Sequence, residues 1–165
     1  MNIFYVDSDP IIAAQSLGNR HVVKMIVESA QMLSTAHRVL DGKDHVLGDS
    51  REDVLYKCTH KNHPSAVWCR SSVENYSWLV EHFFGLMQEY THRYDKKHKC
   101  AGDLSFMIQS PPYNLKDWDF TEPPACMPDE YKISSNVIEN YRNYYRVGKA
   151  KLHQYKNREA PIWIS

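Results

Sequence analysis

The stretch from His21 to Arg38, HVVKMIVESAQMLSTAHR, constrains the fold more than any other part of the chain. It contains neither Pro nor Gly, it follows Asn19 as a candidate N-cap, and it precedes Gly42, so it predicts a helix of about five turns. Most of the surface of this helix is apolar. The exception is a row of side chains at alternating spacings of three and four residues, which we call the polar row: His21, Lys24, Glu28, Gln31, Thr35 and Arg38.

The polar row admits two interpretations. A helix that is apolar over about two-thirds of its surface is normally buried, and buried charges must be paired or must face a water-filled site. On this view the row is the floor of a polar pocket. On the other view it is the solvated side of a half-buried helix, with an ion pair between Lys24 and Glu28.

A second long helix is predicted from Ser71 and Ser72 to about Tyr94, because the serines and Glu74 form a helix-start signal. This helix also carries polar side chains in a row, with a small residue in the middle: Asn75, Trp78, His82, Gly85, Glu89, His92 and Arg93. Two such helices are what a bundle with an internal site would need, so the pocket is the favoured interpretation.

The remaining signals predict short helices that start at Pro10 and Pro64, a weak helix over residues 103–108, and a third long helix from Ser134 or Ser135. Residues 41–57 have little periodicity and are predicted to be a mobile surface segment, whereas the Pro-rich and aromatic residues 110–130 predict an ordered loop. The predicted fold is therefore all-α: a compact bundle of three long helices with short helices and long ordered loops, in a single domain over residues 1–165.

Composition limits the partners of the chain. Its 165 residues, 42% of them hydrophobic, are enough for one domain with a core. Lys and Arg number 20, as do Asp and Glu, so a basic surface for nucleic acid must be a local patch. Neither a membrane-spanning run nor a signal-peptide pattern is present, and we expect a soluble cytoplasmic protein with no membrane partner.

The four cysteines form no CxxC pair and are expected to be reduced. Cys58, His60 and His63 come nearest to a metal-binding cluster, but their spacing matches no zinc signature. We therefore expect neither a metal nor a cofactor.

Several blocks occur in an order that resembles a known family. They are HVVK from His21, ESAQML from Glu28, NHPS from Asn62 with Trp68 after it, and Glu89 with Arg93. In this order they resemble the pyrimidine dimer DNA glycosylases, the small all-helical family of the endonuclease V of T-even phages and short bacterial and phage proteins. Uncharacterised phage proteins share the HVVKM, ES/TAQ and NHP blocks. The resemblance covers most of residues 1–94.

The resemblance implies roles for particular residues. In the phage glycosylase a His precedes the catalytic Glu by seven positions, and His21 and Glu28 keep this spacing. Glu28 is therefore expected to be the acid/base carboxylate, which fits the positive charge that develops at the sugar C1′ during glycosidic cleavage. The family nucleophile is the α-amine exposed when the initiator Met is removed, which requires a small second residue. Asn2 is bulky, so Met1 is expected to stay, and either its amine or Lys24 is the candidate nucleophile.

Three hypotheses follow. The first is a DNA glycosylase, with or without lyase activity, that acts on damaged or modified pyrimidines. Its catalytic residues are Glu28, Lys24 and His21, and its substrate- and phosphate-binding residues are Gln31, Asn62, His63, Arg70, Asn75, His82, Glu89 and Arg93. The second is an enzyme or binding protein for a free nucleotide or another small phosphorylated ligand. The third is a non-catalytic phage interaction protein, in the host cytoplasm, whose polar rows are structural networks. The motif order favours the first hypothesis and the neutral charge favours the second.

Overall fold

Six α-helices account for the regular structure of the chain, and the structure, a computed structural model, describes all of residues 1–165. They are α1 (Pro10–Gln15), α2 (Asn19–Leu40), α3 (Pro64–Cys69), α4 (Val73–Tyr94), α5 (Asp103–Ile108) and α6 (Val137–Asn143). No strand is formed, so the predicted all-α class is confirmed. None of the helices is both long and apolar enough to cross a membrane.

Side-chain caps start the helices where the sequence places them. The Asp9 carboxylate accepts hydrogen bonds from the first-turn amides of α1, His63 Nδ1 accepts from the Ser65 amide of α3, and Ser72 Oγ accepts from the Asn75 amide of α4. The cap of α2 differs from the prediction. Gly18 is the N-cap residue, and Asn19 is the first helical residue.

The two 22-residue helices, α2 and α4, pack antiparallel. His37 near the end of α2 lies 2.9 Å from the Tyr76 hydroxyl near the start of α4, whereas Arg93 at the end of α4 donates to Asn19 at the start of α2. On another side α4 packs closely against α1 at Gly85. A Cβ there would lie 3.0 Å from Ile11 Cδ1 and 3.1 Å from Ala14 Cβ, so a larger residue would force α1 side chains to shift.

Helix α6 is much shorter than the third long helix that the sequence predicts from Ser134 or Ser135. The seven residues of α6 continue only as a π-helical turn over Tyr144–Gly148. This turn presses Gly148 against aromatic rings, since a Cβ there would lie 2.8 Å from the Tyr144 ring and 2.9 Å from the Tyr131 ring. The fold therefore has two long helices, and the third candidate is a short helix followed by a tight turn.

Residues 41–57 are anchored, so the prediction of a mobile segment is wrong. The buried Arg38 guanidinium donates to the backbone carbonyls of Tyr56, Leu55, His45 and Glu52 and to the Glu52 carboxylate at 2.6–3.1 Å. Every N–H group of this guanidinium thus holds the segment. Arg38 of the polar row is therefore a structural residue, because all its hydrogen bonds bind residues 45–56.

The last third of the chain wraps around the helices near the N-terminus. The Tyr145 hydroxyl accepts from the Gly18 amide at 2.7 Å, and the Gln154 carbonyl accepts from the Asn19 amide at 2.8 Å. Arg142 donates to the Val6 carbonyl and to the Asp7 carboxylate. Residues 142–154 therefore fix both the N-terminal segment and the start of α2.

Candidate functional site

The N-terminal segment, residues 1–6, lies in an irregular conformation against α2. Ile3, Phe4, Tyr5 and Val6 are buried in the core, and none of the six residues forms a strand or a helix. Burial of four consecutive apolar side chains fixes this segment firmly. Its first two residues consequently reach the middle of α2, where Glu28 lies.

The Glu28 carboxylate is surrounded by amino groups. The Met1 α-amine nitrogen lies 3.9 Å from Oε2, and the Asn2 amide donates to the same oxygen at 2.9 Å. On the other side Lys24 Nζ lies 3.2 Å from Oε1. We call these four residues, together with His63, the Glu28 cluster. Its two amines are the only primary amines in contact with this carboxylate, one on each oxygen.

The amines differ in their surroundings. The Met1 side chain is 2% exposed, whereas the Lys24 side chain is 63% exposed and the Glu28 side chain is 14% exposed. The Met1 amine is therefore held by buried structure on one side of the carboxylate. Lys24 lies on the outer side, where a ligand could displace it at little cost.

The Asn2 side chain fixes the first residues of the chain. Its Nδ2 donates to the Cys126 carbonyl at 2.7 Å, and its Oδ1 accepts from the amides of Ile3 and Phe4 at 2.7 and 3.2 Å. Phe4 has a φ of +56°, a left-handed conformation that is rare for an aromatic residue. This bend brings both amides to the Asn2 oxygen, so the side chain and the bend together orient Met1 toward Glu28.

His21 packs against Phe4 of the N-terminal segment. Its ring lies 4.6 Å from the Phe4 ring and 5.3 Å from the Tyr145 ring, between centroids, and its Nδ1 is buried without a partner. Burial, followed by the nearby ammonium groups of Lys24 and Lys149, lowers the pKa of His21 to about 4. A neutral His21 packed on Phe4 is seven residues, or about 10 Å of helix, from Glu28.

His63 joins the cluster from the start of α3. It is half-buried, and burial and the Met1 amine, followed by His60, lower its pKa, whereas Glu28 raises it. The imidazole is therefore close enough to interact electrostatically with both the Met1 amine and the Glu28 carboxylate. Asn62 beside it is exposed, and Gln31 is half-buried one turn beyond Glu28 on α2.

Arg70 ends α3 and has a half-buried guanidinium. Its Nη1 is buried without a hydrogen-bond partner, and burial lowers its pKa while the thiols of Cys69 and Cys58 raise it. An unpartnered guanidinium nitrogen is costly in a folded protein. Arg70 therefore has a buried guanidinium nitrogen with bonding capacity to spare.

The polar row of α4 contacts other parts of the protein. Asn75 binds the Trp68 carbonyl and the backbone amide and hydroxyl of Thr121, so it pins the Pro-rich loop. His82 Nδ1 donates to the Pro10 carbonyl at 2.9 Å on α1. Both side chains are completely buried. They serve the packing of α4.

Glu89 and Arg93 form a buried ion cluster with Arg158 of the C-terminal segment, residues 140–158. Arg93 Nε donates to Glu89 at 2.7 Å, and Arg158 donates to both Glu89 oxygens. Arg93 also donates to Asn19 and to the Gln15 carbonyl. Because Asn19 precedes Glu28 by about 13 Å of helix, this cluster is separate from Glu28.

The prediction of a cavity between the polar rows of α2 and α4 is therefore wrong. The row of α4 faces α1, the Pro-rich loop and the C-terminal segment, and Glu28 instead faces the N-terminal segment. The three cavities of the structure, of about 620, 300 and 480 Å³, lie elsewhere, and none is lined by Glu28. The Glu28 cluster lies outside these cavities, and it is most exposed at Lys24.

Two features of the cluster were missed in the sequence. Neither has a sequence signal: the Asn2 amide binds Glu28 across 26 positions, and the Asn2 side chain binds the Cys126 carbonyl across 124 positions. The participation of Met1 was predicted only through the resemblance. Periodicity along α2 could identify Lys24 and Glu28 as neighbours, but not the group that covers them.

Comparison with known families identifies the family of this chain. The family model described as pyrimidine dimer DNA glycosylase matches residues 1–102, which include the whole of the Glu28 cluster. No curated protein and no solved structure matches the chain significantly. The matched region covers more than half of the 165 residues. The chain therefore belongs to the pyrimidine dimer DNA glycosylase family.

Proposed function

We propose that the protein is an N-glycosylase for damaged or modified pyrimidine nucleotides in DNA, with an associated lyase step. The observation that carries this proposal is the contact of Glu28 with two primary amines, those of Met1 and Lys24. A carboxylate beside an amine is the combination that imine-forming cleavage of a glycosidic bond requires. The exposed Lys24 side chain marks the side of the cluster on which a DNA strand would bind.

In the proposed reaction a neutral amine attacks C1′ of the damaged nucleotide. The N–C1′ bond forms as the bond from C1′ to the base breaks, and the electron pair leaves with the base. Glu28 stabilises the positive charge that develops at C1′, and it accepts a proton from the nitrogen once this has bonded to C1′. Opening of the sugar then yields an imine, and loss of the C2′ proton with the 3′ phosphate breaks the strand.

We propose the Met1 α-amine as the nucleophile, with Lys24 as its neighbour. Met1 is held by the hydrogen bonds of Asn2, whereas the Lys24 side chain is mostly exposed. Positioning of a nucleophile contributes strongly to rate.

His63 and Arg70 are proposed to contact phosphate, and His21 to support the N-terminal segment. His63 lies within electrostatic range of both Met1 and Glu28, and Arg70 has an unpartnered buried nitrogen. The nucleotide-binding alternative has less support. It needs Arg93 to grip phosphate, but Arg93 is fully buried and paired with Glu89.

Borohydride trapping tests the proposal. The protein is incubated with duplex DNA that holds a pyrimidine dimer or an abasic site, the imine is reduced, and the modified peptide is located by mass spectrometry. We expect the adduct on the peptide that contains Met1, and Lys24→Ala should retain it. Glu28→Gln should slow trapping by about 100-fold or more, as is typical for loss of an acid/base group.

Glu81→Gln on the exposed face of α4 removes the same charge far from the cluster and should trap at the rate of the unmodified protein. An adduct on Lys24 would transfer the nucleophile role to that residue. Failure to trap or to release a base with every damaged substrate would remove the glycosylase proposal.

A further inference from the structure

The cations of this chain are unevenly distributed, although its formal net charge is zero. Residues 140–158 contain six Lys and Arg residues and no Asp or Glu, and residues 10–27 likewise contain no acid. Both stretches lie close together, because the C-terminal segment packs on the start of α2. Two stretches of sequence without acidic residues therefore meet near the start of α2.

The contact between these regions is direct. A Cβ on Gly18 would overlap the Leu152 carbonyl oxygen, and the Asn19 amide donates to the Gln154 carbonyl at 2.8 Å. His153 stacks on Tyr145, whose hydroxyl accepts from the Gly18 amide. The turn over residues 149–152 is thus fixed next to the first turns of α2.

Several cations of the C-terminal segment are already used within the protein. Arg142 binds Asp7, Arg158 binds Glu89, and Arg146 donates to Asn143 and Trp163. Lys149 and Lys151 make no ion pair, and neither does the exposed Arg20 on α2. We call Arg20, Lys24, Lys149 and Lys151 the basic face.

The basic face leads to the Glu28 cluster. Arg20, Lys24 and Glu28 follow one another at intervals of four residues along one side of α2. Lys149 Nζ lies 5.0 Å from the Tyr144 ring, which stacks on Phe4, two residues from Asn2. The lowered pKa of His21 reflects, after burial, the ammonium groups of Lys24 and Lys149, so both lie near this one imidazole.

We propose that the basic face binds the phosphate backbone of DNA, so that the C-terminal segment supplies contacts that the N-terminal half alone lacks. Lys149 and Lys151 are its principal new members, and both lie outside the region that the family model matches. Phosphate contacts supply most of the affinity of sequence-independent DNA binding, and each releases counterions. The neutral total charge is then compatible with DNA binding, because the field that matters is local. This inference rests on the proposed function for its substrate.

Salt-dependent binding to an undamaged fluorescent duplex tests the inference without requiring catalysis. Loss of two phosphate contacts in Lys149→Ala/Lys151→Ala should make the slope of log affinity against log salt shallower by about 1.8. Between about 50 and 200 mM salt, the unmodified protein should therefore lose about 12-fold more affinity than the double variant. Lys149→Arg/Lys151→Arg keeps both charges and should keep the original slope.

Lys43→Ala/Lys116→Ala is the matched control, since it removes two exposed lysines at the far end of α2 and the start of α4. This variant should bind as the unmodified protein does. Equal slopes for the Lys149/Lys151 alanine variant and the unmodified protein would overturn the inference, even if base release continues. A reduced slope without any base release would support the basic face while counting against the glycosylase chemistry.

Discussion

Replacement of Asn2 by Leu tests whether the side chain of the second residue positions the catalytic amine. Leu has nearly the same shape but removes one donor to Cys126 and one acceptor for the Ile3 and Phe4 amides. At about 1 kcal/mol for each hydrogen bond, the variant should lose about 3 kcal/mol in free energy of unfolding. Since Leu is also bulky, Met1 should be retained, and intact mass verifies this.

The same substitution should also lower the rate of imine formation. Without the three hydrogen bonds the Met1 amine is free to leave its position 3.9 Å from Glu28. A displacement of about 1 Å from a reacting geometry can lower a rate about 100-fold. We therefore expect single-turnover borohydride trapping to slow by about that factor at saturating DNA.

Two further variants isolate the cause. Asn2→Asp keeps the acceptor for the Ile3 and Phe4 amides but replaces the donor to Cys126 by a charged oxygen, so its trapping rate should fall between those of the unmodified protein and Asn2→Leu. Gln88→Leu makes a similar replacement on the exposed side of α4 and should change neither quantity. Trapping by Asn2→Leu at the original rate would refute the argument that this side chain orients the amine.

Two more predictions concern stability. Burial lowers the pKa values of His21, His37 and His82 to about 4, so these side chains stay neutral in the folded protein while the unfolded chain binds protons below about pH 6.5. Their stabilising effect is present above that pH and is lost as pH falls toward 4, by about 2 kcal/mol per histidine at pH 5, and equal urea-unfolding free energies at pH 7 and 5 would contradict this. Arg38→Met should lower the free energy of unfolding by about 5 kcal/mol, because it removes five hydrogen bonds to residues 41–57 at about 1 kcal/mol each. Faster proteolysis within residues 41–57 would accompany this loss, and unchanged cleavage would show that Arg38 does not hold the segment.

The proposed action on DNA is compatible with a net charge of zero, because the charges of the chain are unevenly arranged. Its acidic residues pair within the structure at several points, as Glu89 does with Arg93 and Glu52 does with Arg38. The cations of the basic face have no such internal partners apart from the pair between Lys24 and Glu28. Local charge at the start of α2 thus differs from the average of the chain.

Local sequence signals determined much of the fold. The caps at Asp9, His63 and Ser72, and the uninterrupted apolar periodicity of α2 and α4, predict helix bounds to within a few residues. These features depend on neighbours within one or two turns, so they can be recognised without knowledge of the rest of the chain. The spacing that makes Lys24 and Glu28 neighbours is of the same kind.

Tertiary structure decided what the polar rows contact. The row of α4 closes against α1 because Gly85 permits close packing there, and the carboxylate of Glu28 receives Met1 and Asn2. Asn2 in turn depends on Cys126, and Lys149 reaches the start of α2 only through the packing of Tyr145 on Gly18. Contacts between residues more than 100 positions apart leave no periodic trace in a single sequence, because each depends on how whole elements pack.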